Sequence, residues 1–260
     1  MTSSTTSLQD GIKAQGLTKT YQRGQNSVPA LVNVDLHLPQ GTQVALMGPS
    51  GSGKSTLLHC MAGILRPTSG SVHFDGADIT GMKDKDISRL RLSRFGFVFQ
   101  DGQLLPELPA NENVALPLML LGLPRAKAMR QADDMLAKLG LQGLGPHRPG
   151  QLSGGQAQRV SIARALVTGP GAVFADEPTG ALDQNTGAEV MDVLTRACAA
   201  TGASLILVTH DPGVAARLPY TIHMRDGQIV EGVHNDASSF SATPAAATLA
   251  SGATPVRAAL

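Results

Sequence analysis

The stretch Gly48-Pro49-Ser50-Gly51-Ser52-Gly53-Lys54-Ser55-Thr56 constrains this chain more than any other. It separates a short apolar strand pattern, Thr42 to Met47, from a helical pattern over Leu57 to Ile64. A glycine-rich loop at a strand-to-helix junction is the context in which backbone N–H groups cradle phosphate oxygens. Glycines at 48, 51 and 53 allow the torsions such a cradle needs. Lys54 adds a point charge for the outer phosphates, the Ser55 hydroxyl can ligate magnesium, and the helix presents its positive end. By background residue frequencies the pattern arises by chance in a chain this long with odds on the order of one in a hundred. By itself it specifies nucleotide phosphates and leaves the reaction open.

The remaining segments predict an α/β fold with two kinds of sheet. Ile12 to Tyr21 and Val28 to Leu38 alternate apolar and polar residues across a turn-rich Arg23 to Ser27, and Ser71 to Phe74 ends at Asp75-Gly76. These read as a small antiparallel sheet. Asp84 to Arg94, with Ile87, Leu90 and Leu92, reads as a surface helix, and Phe97 to Phe99 as a buried strand ending at Gln100. Between Asp101 and Gly150 the pattern turns mainly helical, with Leu104-Leu105-Pro106, a leucine-rich piece and a helix over Arg125 to Leu139. From Gln151 alternation resumes: a helix to Val167, a strand at Ala172 to Ala175, a helix over Gly187 to Ala200 and a strand at Ser204 to Thr209. Such alternation implies a parallel sheet with helical crossovers. Arg225-Asp226-Gly227 between two short strands is a hairpin signal. The expected organisation is a flexible tail over 1–11, one domain over 12–234 with a helical part inserted at about 101–165, and a low-complexity tail over 235–260.

Two further strand ends carry acid-base groups. Ala172 to Ala175 leads into Asp176-Glu177, and in parallel sheets ligands gather at the carboxyl ends of strands. A carboxylate pair is usually a solvated turn. Beside a phosphate loop, Asp176 can hold the metal shell while Glu177 orients and deprotonates an attacking water. His210 follows Leu205 to Val208 in the same manner, either as a structural histidine or as a contact to the terminal phosphate. Gln100 ends its own strand similarly, within reach of metal or water. Leu152-Ser153-Gly154-Gly155-Gln156 contains the Ser153/Gln156 spacing of a helix capping box. Capping leaves unexplained two glycines in the first turn, each costing a helix about 1 kcal/mol against alanine. Bare backbone there suits close approach by a phosphate, so a second anion site is expected. Tyr21 is either a base-stacking aromatic or a half-buried edge residue.

Composition excludes several classes. Twenty-one basic against twenty acidic residues leave a net charge of +1, without the footprint of a nucleic-acid binder. Cys60 and Cys198 lie in no metal or redox spacing and read as ordinary buried thiols in a reducing compartment. The most apolar run, Ala115 to Leu123, is too short to span a bilayer and contains Pro117, and the start is not a secretory signal. A cytoplasmic protein is expected, with any membrane role requiring a partner.

Taken together and in this order, these residues resemble the ATP-binding cassette ATPases, the motor subunits of ABC transporters. The resemblance runs from Ile12 to Gly232. It rests on the phosphate loop, Gln100, the signature Leu152 to Gln156, Asp176 with Glu177, Ala181-Leu182-Asp183 and His210, with Tyr21 where the family places its adenine-stacking aromatic. The signature beside this loop and carboxylate pair distinguishes the family from kinases and GTPases. Leu104-Leu105-Pro106, Glu112 to Pro117 and Asp176 to Asp183 are similar to the macrolide-exporter, lipoprotein-release and cell-division branch. Ala157, where glutamine is common, Pro109, which is expected to interrupt the entry to the helical lobe, and the long tail depart from it.

The resemblance implies ATP hydrolysis with Mg2+, and a head-to-tail dimer in which each ATP lies between one copy's phosphate loop and Ser153 to Gln156 of the other. Asp183 would couple the two sites. It also implies a separate transmembrane permease, with the ATPase peripheral on the cytoplasmic face of the inner membrane. Export or extraction of a hydrophobic substrate or lipoprotein is the leading expectation. The alternatives are a mechanotransmission ATPase regulating cell-wall enzymes and a soluble cassette acting on ribosomes or DNA.

Overall fold

The computed structural model describes residues 11–24 and 26–234; the residues before Gly11 and the low-complexity stretch after His234 lie outside them. β1 (Ile12–Arg23) and β2 (Asn26–Leu38) pair antiparallel, from Ile12 opposite Leu38 to Arg23 opposite Asn26. Both strands run further into the connection than the turn-rich composition suggests. β3 (Gln43–Met47) leads through the glycine loop into α1 (Lys54–Met61). β4 (Ser69–Phe74) returns to β1, and β5 (Ala77–Asp78) pairs with β4, closing a sheet of order β2-β1-β4-β5. α2 (Asp84–Arg94) buries only Ile87, as its mixed charge requires.

β6 (Phe95–Phe99) is followed by α3 (Ala110–Leu120), α4 (Arg125–Lys138), a 3-10 turn at Pro149–Gln151 and α5 (Gly154–Leu166). β7 (Ala172–Asp176), α6 (Gln184–Thr201), β8 (Ser204–Val208), the short α7 (Pro212–Ala215) and the hairpin β9 (Tyr220–Arg225) and β10 (Gln228–His234) complete the described chain. The second sheet has the order β10-β9-β3-β8-β7-β6 and is parallel except for β9 with β10.

Both faces of this sheet are covered, which is why its strands read as continuous apolar runs. Alternate residues face opposite cores. Val173, Ala175, Leu205 and Leu207 join α3, α4, α5 and α6 on one side. Ala172, Phe174, Ile206 and Val208 join α1 and the antiparallel sheet on the other. Phe95 links the two sheets, edge-on to Phe74 at 4.8 Å and to Phe174 at 5.2 Å. The helical lobe therefore shares one apolar cluster with the sheet.

Pro109 does not interrupt that lobe. It occupies the N-cap position of α3, where no helical hydrogen bond needs its missing N–H. The buried Asn113 secures the approach, accepting from Leu105 N and donating to the carbonyls of Leu105, Leu108 and Pro109.

Cys60 and Cys198 are buried free thiols, as their spacing suggests. Burial pushes Cys60 up to about 11 and Cys198 up to about 12. Since the thiolate is the reactive form, the folded protein at pH 8 is expected to resist a thiol-specific chromogenic reagent, and both thiols to titrate after denaturation. Rapid labelling of the folded chain would show these cores to be open. Among the described residues no helix is long and apolar enough to cross a membrane.

Candidate active site

Strand register builds one chemical edge. Leu46 pairs with Val208, Val208 with Asp176 and Asp176 with Phe99, so β3, β8, β7 and β6 end in a common row. The next residues along it are Met47, Thr209, Glu177 and Gln100. Backbone bonds from Thr209 N to Leu46 O, 3.2 Å, and Glu177 N to Val208 O, 3.0 Å, continue the ladder past the strand ends.

At this edge the glycine loop wraps the start of α1. Gly48, Gly51 and Gly53 take φ of 148°, 79° and 97°, and a Cβ on Gly48 would overlap the Met224 carbonyl oxygen. Gly53 sits at the N-cap and supplies no side-chain acceptor, which leaves first-turn N–H groups of α1 for a ligand. Lys54 is 8% exposed and curls back over the loop, Nζ donating to Gly48 O at 2.8 Å and Pro49 O at 2.9 Å. The Ser52 hydroxyl is buried without a partner, an arrangement that costs about 1–3 kcal/mol. A buried cation, an orphaned hydroxyl and uncapped amides all suit a polyanion.

Ser55 Oγ donates to Asp176 Oδ1 at 3.2 Å. Burial raises the Asp176 carboxyl above the usual carboxylate range, against the pull of that hydrogen bond and of nearby His59 and Lys54. Glu177 takes φ 46°, a left-handed conformation that costs a non-glycine residue on the order of 1–2 kcal/mol. Its Oε1 lies 2.9 Å from His210 Nδ1. With a proton on Nδ1, His210 donates to the carboxylate. Gln100 packs on Gly180, where an added Cβ would sit 3.0 Å from Nε2.

The glycine pair lies elsewhere, and its surroundings correct one step of the sequence argument. Ser153 Oγ accepts from Gln156 N at 3.3 Å, and Gln156 Oε1 accepts from Ser153 N at 2.9 Å, a complete capping box on α5. What approaches Gly155 is the chain's own Thr186, whose methyl a Cβ at 155 would overlap; a Cβ on Gly154 would lie 3.0 Å from Leu182 Cδ2. At Gly155 bare backbone is thus needed for packing against the start of α6, with or without a phosphate. Asp183 caps α6 and accepts from Asn185 N and Thr186 N, each at 3.1 Å; its carboxyl is lowered chiefly by the Thr186 side-chain hydrogen bond. Tyr21 is 38% exposed on the β1–β2 hairpin, with Lys19 Nζ 5.4 Å from its ring centre.

The contacts therefore bring Ser55, Asp176, Glu177 and His210 together beside Lys54 and the loop. Ser153 to Gln156 and Asp183 form a second group joined through α6, while Tyr21 lies on the antiparallel sheet. Sequence reasoning missed Thr186, Gln158 and Arg164. The signal available was Gln158, a polar residue at helical spacing from the apolar Ile162 and Leu166.

The profile of the family described as ABC transporter matches residues 31–180, more than half of the chain. The chain belongs to the ABC transporter family. It is 45% identical over 219 residues to an uncharacterized ABC transporter ATP-binding protein, YknY, of Bacillus subtilis, covering 84% of this chain and 95% of that one. It is 45% identical to the lipoprotein-releasing system ATP-binding protein LolD of Syntrophotalea carbinolica, covering 84% and 96%. Identity to the macrolide export ATP-binding/permease protein MacB of Nitrosomonas europaea is 47%, over 84% of this chain and 33% of MacB, so this ABC chain spans about a third of that relative. Among solved structures it resembles the dimeric ATP-binding cassette MJ0796 in a post-hydrolysis state bound to ADP and Pi. The TM-score is 0.80 at 38% identity, over 87% of this chain and all of that one.

Proposed function

We propose that this chain is the ATP-hydrolysing subunit of an ABC transporter, powering a separate membrane permease for export or extraction of a hydrophobic substrate or lipoprotein. The observation that carries the proposal is the edge at which Ser55, Asp176, Glu177 and His210 meet the phosphate loop, in a chain of this family. Residues 12–234 form the ATPase domain with its helical part at about 101–165. The chain sits peripherally at the cytoplasmic face of the membrane through the permease, and its charge balance calls for no nucleic acid.

In this reading the amides of Gly48 to Thr56, with Lys54, hold the ATP phosphates. Lys54 exchanges its two carbonyl partners for phosphate oxygens, a stronger pairing because the acceptor is charged. Tyr21 offers its exposed ring to the adenine. The hydroxyl of Ser55, the carboxylate of Asp176 and the amide oxygen of Gln100 are hard oxygen donors that fit Mg2+ and would hold it. When bound, the ion neutralises phosphate charge. Glu177 orients the attacking water and takes its proton; His210 occupies Oε1, which leaves Oε2 for that transfer and leaves His210 Nε2 to contact the terminal phosphate. Ser153 to Gln156 of a second copy, arranged head to tail, close each site, and Asp183 couples the two.

Replacing Lys54 with methionine is expected to weaken binding of a fluorescent ATP analogue about 10- to 100-fold, the worth of hydrogen bonds to a charged group. Unchanged affinity would remove Lys54 from the phosphate site. Recovery of a membrane protein with the affinity-purified chain tests the permease.

A further inference from the structure

The segment around Gln100, residues 99–103, is held from outside itself. It turns through two residues of positive φ, Gly102 at 64° and Gln103 at 45°, and its carbonyls are gripped by α5. Gln158 Nε2 donates to Phe99 O at 2.9 Å. Arg164 donates Nη1 to Gln103 O at 2.7 Å and Nη2 to Gly102 O at 2.8 Å. A Cβ on Gly102 would lie 3.3 Å from Gln158 Oε1, so the amide packs directly on the loop. Burial pulls the Arg164 guanidinium below its ordinary value. Two donors of a partly desolvated cation are thus committed to neutral carbonyls, a costly use of arginine's rigid fork unless the backbone conformation it fixes is needed.

The same helix begins at the capping box and packs Gly155 on Thr186. α5 is a rod of 13 residues, roughly 20 Å long at the usual helical rise. Its first turn carries the glycine pair, and its body carries the two side chains that hold the Gln100 loop. A shift of the rod is therefore delivered to the loop through three hydrogen bonds instead of being absorbed by slack chain.

Resting on the hydrolytic function above, we propose that Gln158 and Arg164 are positioning residues that clamp the loop bearing Gln100 to α5, so that Gln100 and the glycine pair take their places together. Neither residue touches substrate. They act through the carbonyls of Phe99, Gly102 and Gln103.

The test uses Arg164→Met, with Arg164→Lys as the milder variant, alone and combined with Gln100→Ala. In nucleotide-free protein, amide hydrogen exchange at residues 100–104 is expected to quicken at least tenfold in Arg164→Met, while β7 stays protected. In single-turnover assays followed long enough to read slow variants, Arg164→Met is expected to lower the hydrolysis rate about 10- to 100-fold. ATP affinity should stay within about twofold, with partial recovery in Arg164→Lys. In the Gln100→Ala background, Arg164→Met should add no further rate loss while lowering the melting temperature as much as it does alone. Losses that multiply in the double variant, or unchanged exchange at 100–104, overturn the clamp. A wild-type chain that hydrolyses no ATP would overturn the functional reading instead, and the exchange result would still decide the clamp.

Discussion

Glu177→Gln is expected to cut ATP turnover by about 10²- to 10⁴-fold, the usual worth of a positioned general base. The substitution keeps size and a hydrogen-bonding oxygen for His210, 2.9 Å away, so neither the fold nor ATP binding should suffer. An enzyme that binds but does not cleave accumulates its ATP-bound form. Size-exclusion chromatography with ATP and Mg2+ should therefore show a dimer that wild type, turning ATP over, does not retain. Undiminished hydrolysis would move the base elsewhere. Loss of turnover without dimers would keep the base and remove the head-to-tail closure. The strained backbone at Glu177, φ 46°, sharpens the expectation, since a residue held at that cost has its side chain aimed by the fold.

Gly155→Ala is expected to reduce turnover on the order of 100-fold, the cost of misplacing a catalytic element by about 1 Å. Stability should fall by about 1–3 kcal/mol, the range for overpacking a tight site. The added methyl collides with the Thr186 methyl, so α5 and the start of α6 must separate. Thr186→Ser removes that methyl and retains a hydroxyl for Asp183, which the Thr186 side chain now bonds. Two readings of the glycine then part. If Gly155 is small only to pack on Thr186, the double variant recovers both melting temperature and hydrolysis. If it must also admit a phosphate held by a second copy, melting temperature recovers and hydrolysis does not. Gly154, exposed and only in contact with Leu182, is the better candidate for the second role.

Much of this was legible before any coordinates. The apolar runs ending in Asp176-Glu177, Gln100 and His210 sit on one edge because buried parallel strands align their ends, and the capping box forms from its own four residues. Such features depend on local spacing and strand period. The contacts that escaped depend on tertiary neighbours: Thr186 meets a glycine 31 positions upstream, and Arg164 meets carbonyls more than 60 positions upstream. Lys54 turned back on Gly48 and Pro49 was equally hidden, because the motif foretells the ligand a lysine serves and not what it does meanwhile. Pro109 failed in the other direction, reading as a break where the fold uses it as a beginning.

The hairpin of β9 and β10 has a consequence for how this protein is made. Its turn residue Gly227 donates N–H to Ser52 O at 3.1 Å and accepts from Val32 N at 2.9 Å, while the Met224 carbonyl closes against Gly48. The phosphate loop is thus synthesised early and braced late. At ordinary elongation rates the roughly 170 residues between Thr56 and Gly227 take some ten to thirty seconds to be synthesised. During that interval a nascent chain carries the whole nucleotide motif without its brace, and a fragment cut short before Tyr220 carries it permanently. Competence to bind ATP is therefore expected to wait on the hairpin, and fragments that end before it to bind ATP poorly.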